Sequence, residues 1–419
     1  MTRASGIDLK VRSLIVFINV MIFLALLSGS HAGLSFVYVF LAQLFISITI
    51  CLYYRKNISI YLMNGIYSLL TAVTISIVII SYALSVIKKG ESSVTSEMRM
   101  VFIMVNFIFA FSFYYLMCEI RSVELLFISL PVGITYIAIY YFVDYNFNLN
   151  TLIVENVSNL PFAFNRRLLD MYCIFSIIYA SYLYLFRRKK CSFVFGGLYV
   201  INVAFIFWVG GRGSILSTSI ALIFLITAMN RKKLLDAIEI VKFAVLTILG
   251  LALAFPISIF TWNGLYRFKQ LFSSLGEKSL DKISNGRLDI WLDAIRNIKE
   301  AFWFGHGPDS YREIGSFGFF QPHNFILQYF IEFGVIGTSL IIILISLSLI
   351  KGVVFSLKVS NNKNLPTVLL FVSIVLGYLI QGLVDGVFYW SVTTMLVTIG
   401  LVGIVATVDK GNKEGNNLF

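Results

Sequence analysis

Arg212 lies in Gly210-Gly211-Arg212-Gly213-Ser214, in the turn between two long apolar runs. A guanidinium at the edge of hydrocarbon is costly unless an anion meets it, the plainer alternative being an arginine that snorkels to the interface. The flanking glycines would let a ligand approach the backbone closely. Arg287 opens a helical pattern, where its charge opposes the helix macrodipole, so helix energetics do not account for it. A solvated surface charge is the common reading of such a residue. An anion shared with Arg212 is the other, and forked guanidinium donors suit a diphosphate. His323-Asn324 follows Pro322 at the start of a further apolar run, and Asn324, Gln328 and Glu332 then recur on one helical face. Buried amides and carboxylates in lipid need partners, so this stripe is expected to line a cavity within the bundle and bind substrate. Capping by Asn324 and interhelical hydrogen bonding are the alternatives. Gln381 and Asp385, one helical turn apart, can face the same cavity. His31 and His306 have no ligand-spaced partners, and no metal site is expected.

The elements that must hold these residues are membrane spans. Of 419 residues, 58% are hydrophobic and 13% charged, whereas a soluble domain is about a quarter charged. Long apolar runs recur over residues 13–29, 34–53, 58–87, 100–118, 123–143, 168–186, 192–210, 214–229, 241–260, 325–350, 367–385 and 388–408. Each can cross a hydrocarbon core of about 30 Å at about 1.5 Å per residue. The expected fold is therefore an all-α integral membrane protein of about twelve transmembrane helices, a single polytopic domain over residues 1–419. Its one large outer loop, residues 261–322, joins the ninth and tenth spans. Within that loop Leu288, Trp291, Ile295, Ile298 and Phe302 recur at helical spacing before Gly305-His306-Gly307. They predict an amphipathic helix whose apolar face rests on the membrane or on the bundle.

Basic residues set the orientation. Arg55-Lys56, Arg187 to Lys190, Arg231 to Lys233, and Lys410 with Lys413 all fall on one side, which the positive-inside rule makes cytoplasmic, together with both termini. The residues singled out above then fall on the opposite, outer side. The net charge of +12 mostly reports this topology, and nucleic-acid binding is excluded for want of a basic soluble face. No glycine-rich phosphate loop of the GxxxxGK type occurs, so ATP is not expected to be hydrolysed here, and no cofactor is implied.

Four elements together resemble the superfamily of O-antigen ligases and O-unit polymerases, which are bacterial envelope glycosyltransferases. They are Gly211-Arg212-Gly213-Ser214, Gly286-Arg287-Leu288-Asp289-Ile290-Trp291, Gly305-His306-Gly307, and His323-Asn324 followed by Gly334 and Gly337. The likeness is carried by residues 195–350. It implies a helical glycosyltransferase fold of the GT-C type and a glycan donor carried on undecaprenyl diphosphate. It places the active site at the periplasmic face of the inner membrane. It also implies that Arg212 and Arg287 bind the diphosphate and that His323 lies near the transfer centre, making these three the catalytic candidates, with Asn324, Gln328, Glu332, Gln381 and Asp385 binding substrate. The expected chemistry is a metal-independent, inverting transfer to a sugar hydroxyl. The acceptor is lipid A-core for a ligase, the reading favoured slightly in lipopolysaccharide biosynthesis, or the next lipid-linked repeat unit for a polymerase. A lipid-linked glycan flippase or transporter is the rival from another class. Transporters place ionisable groups near the midplane on broken helices, whereas here the charges cluster at the ends of runs that read as uninterrupted.

Overall fold

The computed structural model describes residues 9–29, 32–54, 65–120, 123–147, 158–186, 192–254, 286–359 and 362–416. His31 and residues 261–285 of the large loop lie outside the described residues. The helices are α1 (Leu9–Leu27), α2 (Ala32–Tyr54), α3 (Gly65–Lys89), α4 (Val94–Glu119), α5 (Ser129–Phe147), α6 (Arg166–Phe186), α7 (Ser192–Val209), α8 (Arg212–Arg231) and α9 (Ala237–Ala254). After the large loop's helices α10 (Arg287–Glu300) and α11 (Tyr311–Ile314) come α12 (Phe325–Lys358), α13 (Leu365–Gly382) and α14 (Ser391–Asn416). Among the described residues, 11 helices are long and apolar enough to cross a membrane, and α5 contributes a shorter apolar stretch, Ser129–Asp144. Every one of the twelve expected runs coincides with a helix. The fifth starts later than expected because residues 124–128 form turns, gathered by the Tyr179 hydroxyl, which lies 2.9 Å from the Val123 carbonyl and 2.8 Å from that of Glu124.

α6 and α14 are enclosed by their neighbours, and the aromatic core, including Phe127, Phe175, Tyr179 and Phe371, sits around them. A short antiparallel hairpin, β1 (Ser158–Leu160) with β2 (Ala163–Asn165), leads into α6. The Asn165 side chain accepts from the Leu168 amide at 3.1 Å, which fixes Arg166 and Arg167 in the first turn of that helix.

The tenth span is not the uninterrupted helix the sequence suggested. α12 breaks at Gly334, whose φ of 64° and ψ of −170° are open only to glycine. The backbone groups freed by the break are taken up by the Phe302–Gly307 segment of the large loop. The amides of His306 and Gly307 donate to the carbonyls of Ile331 (2.7 Å) and Glu332 (3.0 Å), and the Val335 amide donates to the Phe302 carbonyl (2.8 Å). Such pairing is what keeps irregular backbone affordable near lipid. A Cβ on Gly334 would overlap the Trp303 carbonyl and the Phe304 amide, and one on Gly305 would overlap Glu332. The stretch after the break, residues 335–358, is about 36 Å long and spans the membrane by itself, so the break lies towards the loop end and not at mid-depth. Gly334→Ala is expected to cost at least about 1–3 kcal/mol from backbone strain alone, before the overlap. Thermal unfolding in detergent should show a clear drop in Tm. Gly318→Ala, at φ 67° with open space around it, should lose less.

The loop helix α10 forms where expected, and its apolar residues divide between the bundle and the exposed side. Ile290, Asp293 and Ala294 are buried, packed with Tyr311 and Ile331, while Leu288, Leu292, Ile295 and Phe302 are exposed. Trp291 turns inward and donates from its indole to the Pro322 carbonyl at 3.0 Å. Asp293 anchors the loop, accepting from the Tyr311 hydroxyl (3.0 Å), the Ser316 amide (3.1 Å) and the Ser316 hydroxyl (2.7 Å).

Candidate active site

His323 precedes the cap of α12 and adopts a left-handed backbone, φ 55°, a conformation costing roughly 1–2 kcal/mol for a residue with a Cβ. The conformation is held by Gln321, whose side-chain carbonyl accepts from the His323 amide at 3.2 Å. Gln321 itself fills the space that a Cβ on Gly386 would need. The imidazole Nδ1 lies 3.1 Å from Asp385 Oδ1 and 3.1 Å from Gln321 Nε2. These contacts ask opposite roles of Nδ1. The buried carboxylate forms the stronger, charge-assisted bond, so Nδ1 carries a proton towards Asp385 and Nε2 is the ring nitrogen left free of it.

Asp385 lies in the turn between α13 and α14. Its other oxygen, Oδ2, is 4.0 Å from an Arg287 amino group. Burial would raise the Asp385 carboxyl, but the His323 bond and charge, with Arg167 and Arg287 adding to them, outweigh it and hold the group well below the usual carboxylate range. Arg287 starts α10 directly after Gly286, which is left-handed at φ 73°. Burial lowers the Arg287 guanidinium from its ordinary range, Asp385 opposes that, and the positive charges of Arg167 and Arg212 lower it further. Three arginines from α6, α8 and α10 therefore share one electrostatic neighbourhood with His323–Asp385. Arg167 was not among the expected site residues, because Arg166-Arg167 in sequence reads as a loop charge pair. Its closeness to Arg287 depends on the hairpin.

The glycines beside Arg212 serve packing more than ligand access. A Cβ on Gly211 would overlap the Asp170 carboxylate of α6, and one on Gly213 would lie 2.7 Å from Gln381 Oε1 of α13. Gln381 is thereby set beside the Arg212 turn, buried, with Oε1 lacking a hydrogen-bond partner.

The expected Asn324–Gln328–Glu332 stripe divides. Asn324 is a helix cap: Oδ1 accepts from the amides of Ile326 (3.0 Å) and Leu327 (3.2 Å), and Nδ2 donates to the Leu383 carbonyl (3.1 Å). That tie places the start of α12 against the Asp385 turn. Gln328 and Glu332 do not join the arginine cluster. Gln328 donates to Glu332, which pairs with the buried Arg99 of α4 at 3.5 Å and accepts from the Asp309 amide at 3.2 Å. Arg99 also donates to the carbonyls of Phe388 (2.9 Å) and Tyr389 (2.6 Å). The buried carboxylate thus has a buried cation, which lashes α4 to α12 and to the α13–α14 turn. His306 likewise has a structural setting, its Nε2 lying 2.8 Å from the Asn297 carbonyl.

No curated protein matches the chain. The family model described as O-antigen ligase matches residues 197–342, a segment that begins in α7, carries Arg212, Arg287 and His323, and ends just past the break in α12. Over that segment the chain is similar to the O-antigen ligase family.

Proposed function

We propose that this protein transfers a glycan from undecaprenyl diphosphate to a sugar hydroxyl at the periplasmic face of the bacterial inner membrane. The observation that carries this reading is the His323–Asp385 pair with Arg287 4.0 Å from its carboxylate, at one end of a membrane bundle and within the electrostatic reach of Arg167 and Arg212. The repulsion among three guanidinium groups is relieved by a diphosphate, whose oxygens they would hold by forked, charge-assisted bonds. In the reaction the acceptor oxygen attacks the anomeric carbon while the bond from that carbon to the diphosphate oxygen breaks. The acceptor proton passes to His323 Nε2, and the departing diphosphate keeps the electron pair, its charge met by the arginines. A single displacement of this kind inverts the anomeric centre. Asp385 is a positioning residue that fixes the tautomer and orientation of His323, a role more specific than the substrate contact expected of it. Gln381 Oε1 remains an acceptor available to a substrate hydroxyl. The basic connections on the opposite side of the bundle support cytoplasmic termini.

Because the leaving group is already activated, neither nucleotide nor metal is required. Purified protein supplied with undecaprenyl-diphosphate glycan and a lipid-borne sugar acceptor should transfer the glycan in EDTA and without ATP. Strict dependence on an added metal or on ATP would contradict this mechanism. The break at Gly334 is a feature shared with transporters, but it lies outside mid-depth and is sealed by backbone pairing with the large loop. Enzyme, therefore, is the better supported class.

A further inference from the structure

Asp385 belongs to the turn between α13 and α14, and His323 stands at the start of α12, so the 3.1 Å contact between them depends on how these two elements lie against each other. Within its turn Asp385 is fixed. Its Oδ1 also accepts from the Gly386 amide at 2.8 Å, and its carbonyl accepts from the Val387 amide at 3.1 Å. The placement of α12 is less secure by itself. The break at Gly334 separates residues 325–333 from the long stretch that crosses the membrane, and a short piece before a break does not inherit its direction from the helix beyond it.

Two ties bracket Asp385. On one side Asn324 Nδ2 donates to the Leu383 carbonyl at 3.1 Å. On the other, Arg99 of α4 donates from Nη2 to the Phe388 carbonyl (2.9 Å) and from Nη1 to the Tyr389 carbonyl (2.6 Å). The same Nη2 lies 3.5 Å from Oε2 of Glu332, two residues before the break. One buried side chain therefore spans from the Asp385 turn to the detached piece of α12. Tyr389 is held further, its hydroxyl donating to Asp309 at 2.6 Å and its ring centre lying 5.1 Å from the Arg99 guanidinium carbon.

Adhesion of α4 to its neighbours does not call for such a pair. Burying two charges carries a desolvation cost that well-packed hydrocarbon avoids, so an ion pair with exposures of 3% and 0% is weak evidence for stability. It does define a geometry. Two amino groups of one planar guanidinium take consecutive carbonyls, which sets the angle of the turn as well as its distance. Arg99 is met by Glu332, whereas the charges acting on Asp385 come from His323, Arg167 and Arg287.

We infer that Arg99, braced by Glu332, is a positioning residue for the transfer reaction: it holds the Asp385 turn against the start of α12, so that Asp385 keeps His323 in its working orientation. The inference rests on the proposed reaction, in which His323 takes the acceptor proton. Arg99 acts through the Asp385–His323 contact and not on the diphosphate.

The test is a double-mutant cycle in full-length protein in phospholipid vesicles, with kcat and both KM values taken from initial rates. Arg99→Met alone would strand the Glu332 carboxylate inside the bundle, so it is combined with Glu332→Gln, which still offers an acceptor to the Asp309 amide. The combined variant should lose about tenfold or more in kcat, since a displacement of about 1 Å in a reacting group can cost more than that. Donor and acceptor KM should stay within about twofold, because no charge that binds the diphosphate has changed. In an Asp385→Asn background the same two substitutions should cost less than about threefold, the contact they serve being already lost. Arg99→Lys keeps a charge opposite Glu332 but gives up the fork, so kcat should fall while Tm stays near that of the parent. Should the combined variant be too unstable to assay, Arg99→Lys runs the same cycle. Equal fold-losses in the two backgrounds would make Arg99 a purely structural residue and overturn the inference with the transfer reading intact, as would an unchanged kcat or a loss confined to KM. A full rate in His323→Ala would instead strike the base from the transfer reading and take the inference with it.

Discussion

Arg287→Lys is expected to lower glycan transfer by about a hundredfold or more, and Arg212→Lys to do the same, although each retains its positive charge. Removing one pre-organised donor from a developing anion costs roughly 10²–10³ in rate, and lysine cannot reproduce a forked pair of N–H bonds. Arg287 has the stronger case. It is partly buried, bears the repulsion of Arg167 and Arg212, and lies 4.0 Å from the carboxylate that orients His323. Its loss therefore disturbs both the leaving group and the base. Arg167, exposed at the start of α6, should show a smaller loss, mainly in donor KM. The measurement is initial rate against donor concentration at matched protein level. Near-normal rates in Arg287→Lys would take the residue out of the proposed site.

His323→Ala and Asp385→Asn should each reduce kcat by about 10²–10⁴, the range for losing a positioned general base. They should differ in KM. Asp385→Asn removes the carboxylate opposing Arg167 and Arg287, so donor KM should fall even as kcat collapses, whereas His323→Ala should leave donor KM near its original value. Asp385 has a folded pKa below its unfolded value, which in an isolated aspartate is about 3.9. The stability it contributes is therefore present above that range and is lost as pH falls through the depressed folded value. In cells, the His323→Ala protein should remain folded and lipid-linked donor should accumulate on the periplasmic leaflet. An outside-only lectin probe reads this directly. Donor confined to the cytoplasmic leaflet, with stable protein, would point to a flippase and sink the transferase reading. The size of the stalled lipid bears on the acceptor: long chains accumulate behind a dead ligase and single repeat units behind a dead polymerase.

The spans were legible because lipid imposes a composition on every crossing helix, and all twelve apolar runs became helices. Arg212, Arg287, His323 and Asp385 stood out as candidates because charge at a span end is expensive and so conspicuous. Gln328 and Glu332 misled for a definable reason. Helical periodicity shows that two side chains share a face, but it does not say what that face meets, and Arg99 lies far away in the chain, on α4. The break in α12 was hidden because Gly334 inside an apolar run reads as ordinary helix–helix packing. What demands that glycine is the close approach of Trp303 and Phe304. On α10, periodicity did not single out Ile290 and Ala294, which meet Tyr311 and Ile331, while Leu288 and Ile295 of the expected apolar face stay exposed, as a face resting on lipid would be.

The backbone pairing of Phe302–Gly307 with α12 has a consequence for traffic through the protein. A loop stitched to a transmembrane helix by main-chain bonds cannot hinge upward as a cover without unmaking that helix. Under the proposed reaction, exchange of the lipid-borne substrates would then proceed within the plane of the bilayer, by sliding between helices. The turnover rate should accordingly respond to the fluidity and thickness of the surrounding membrane.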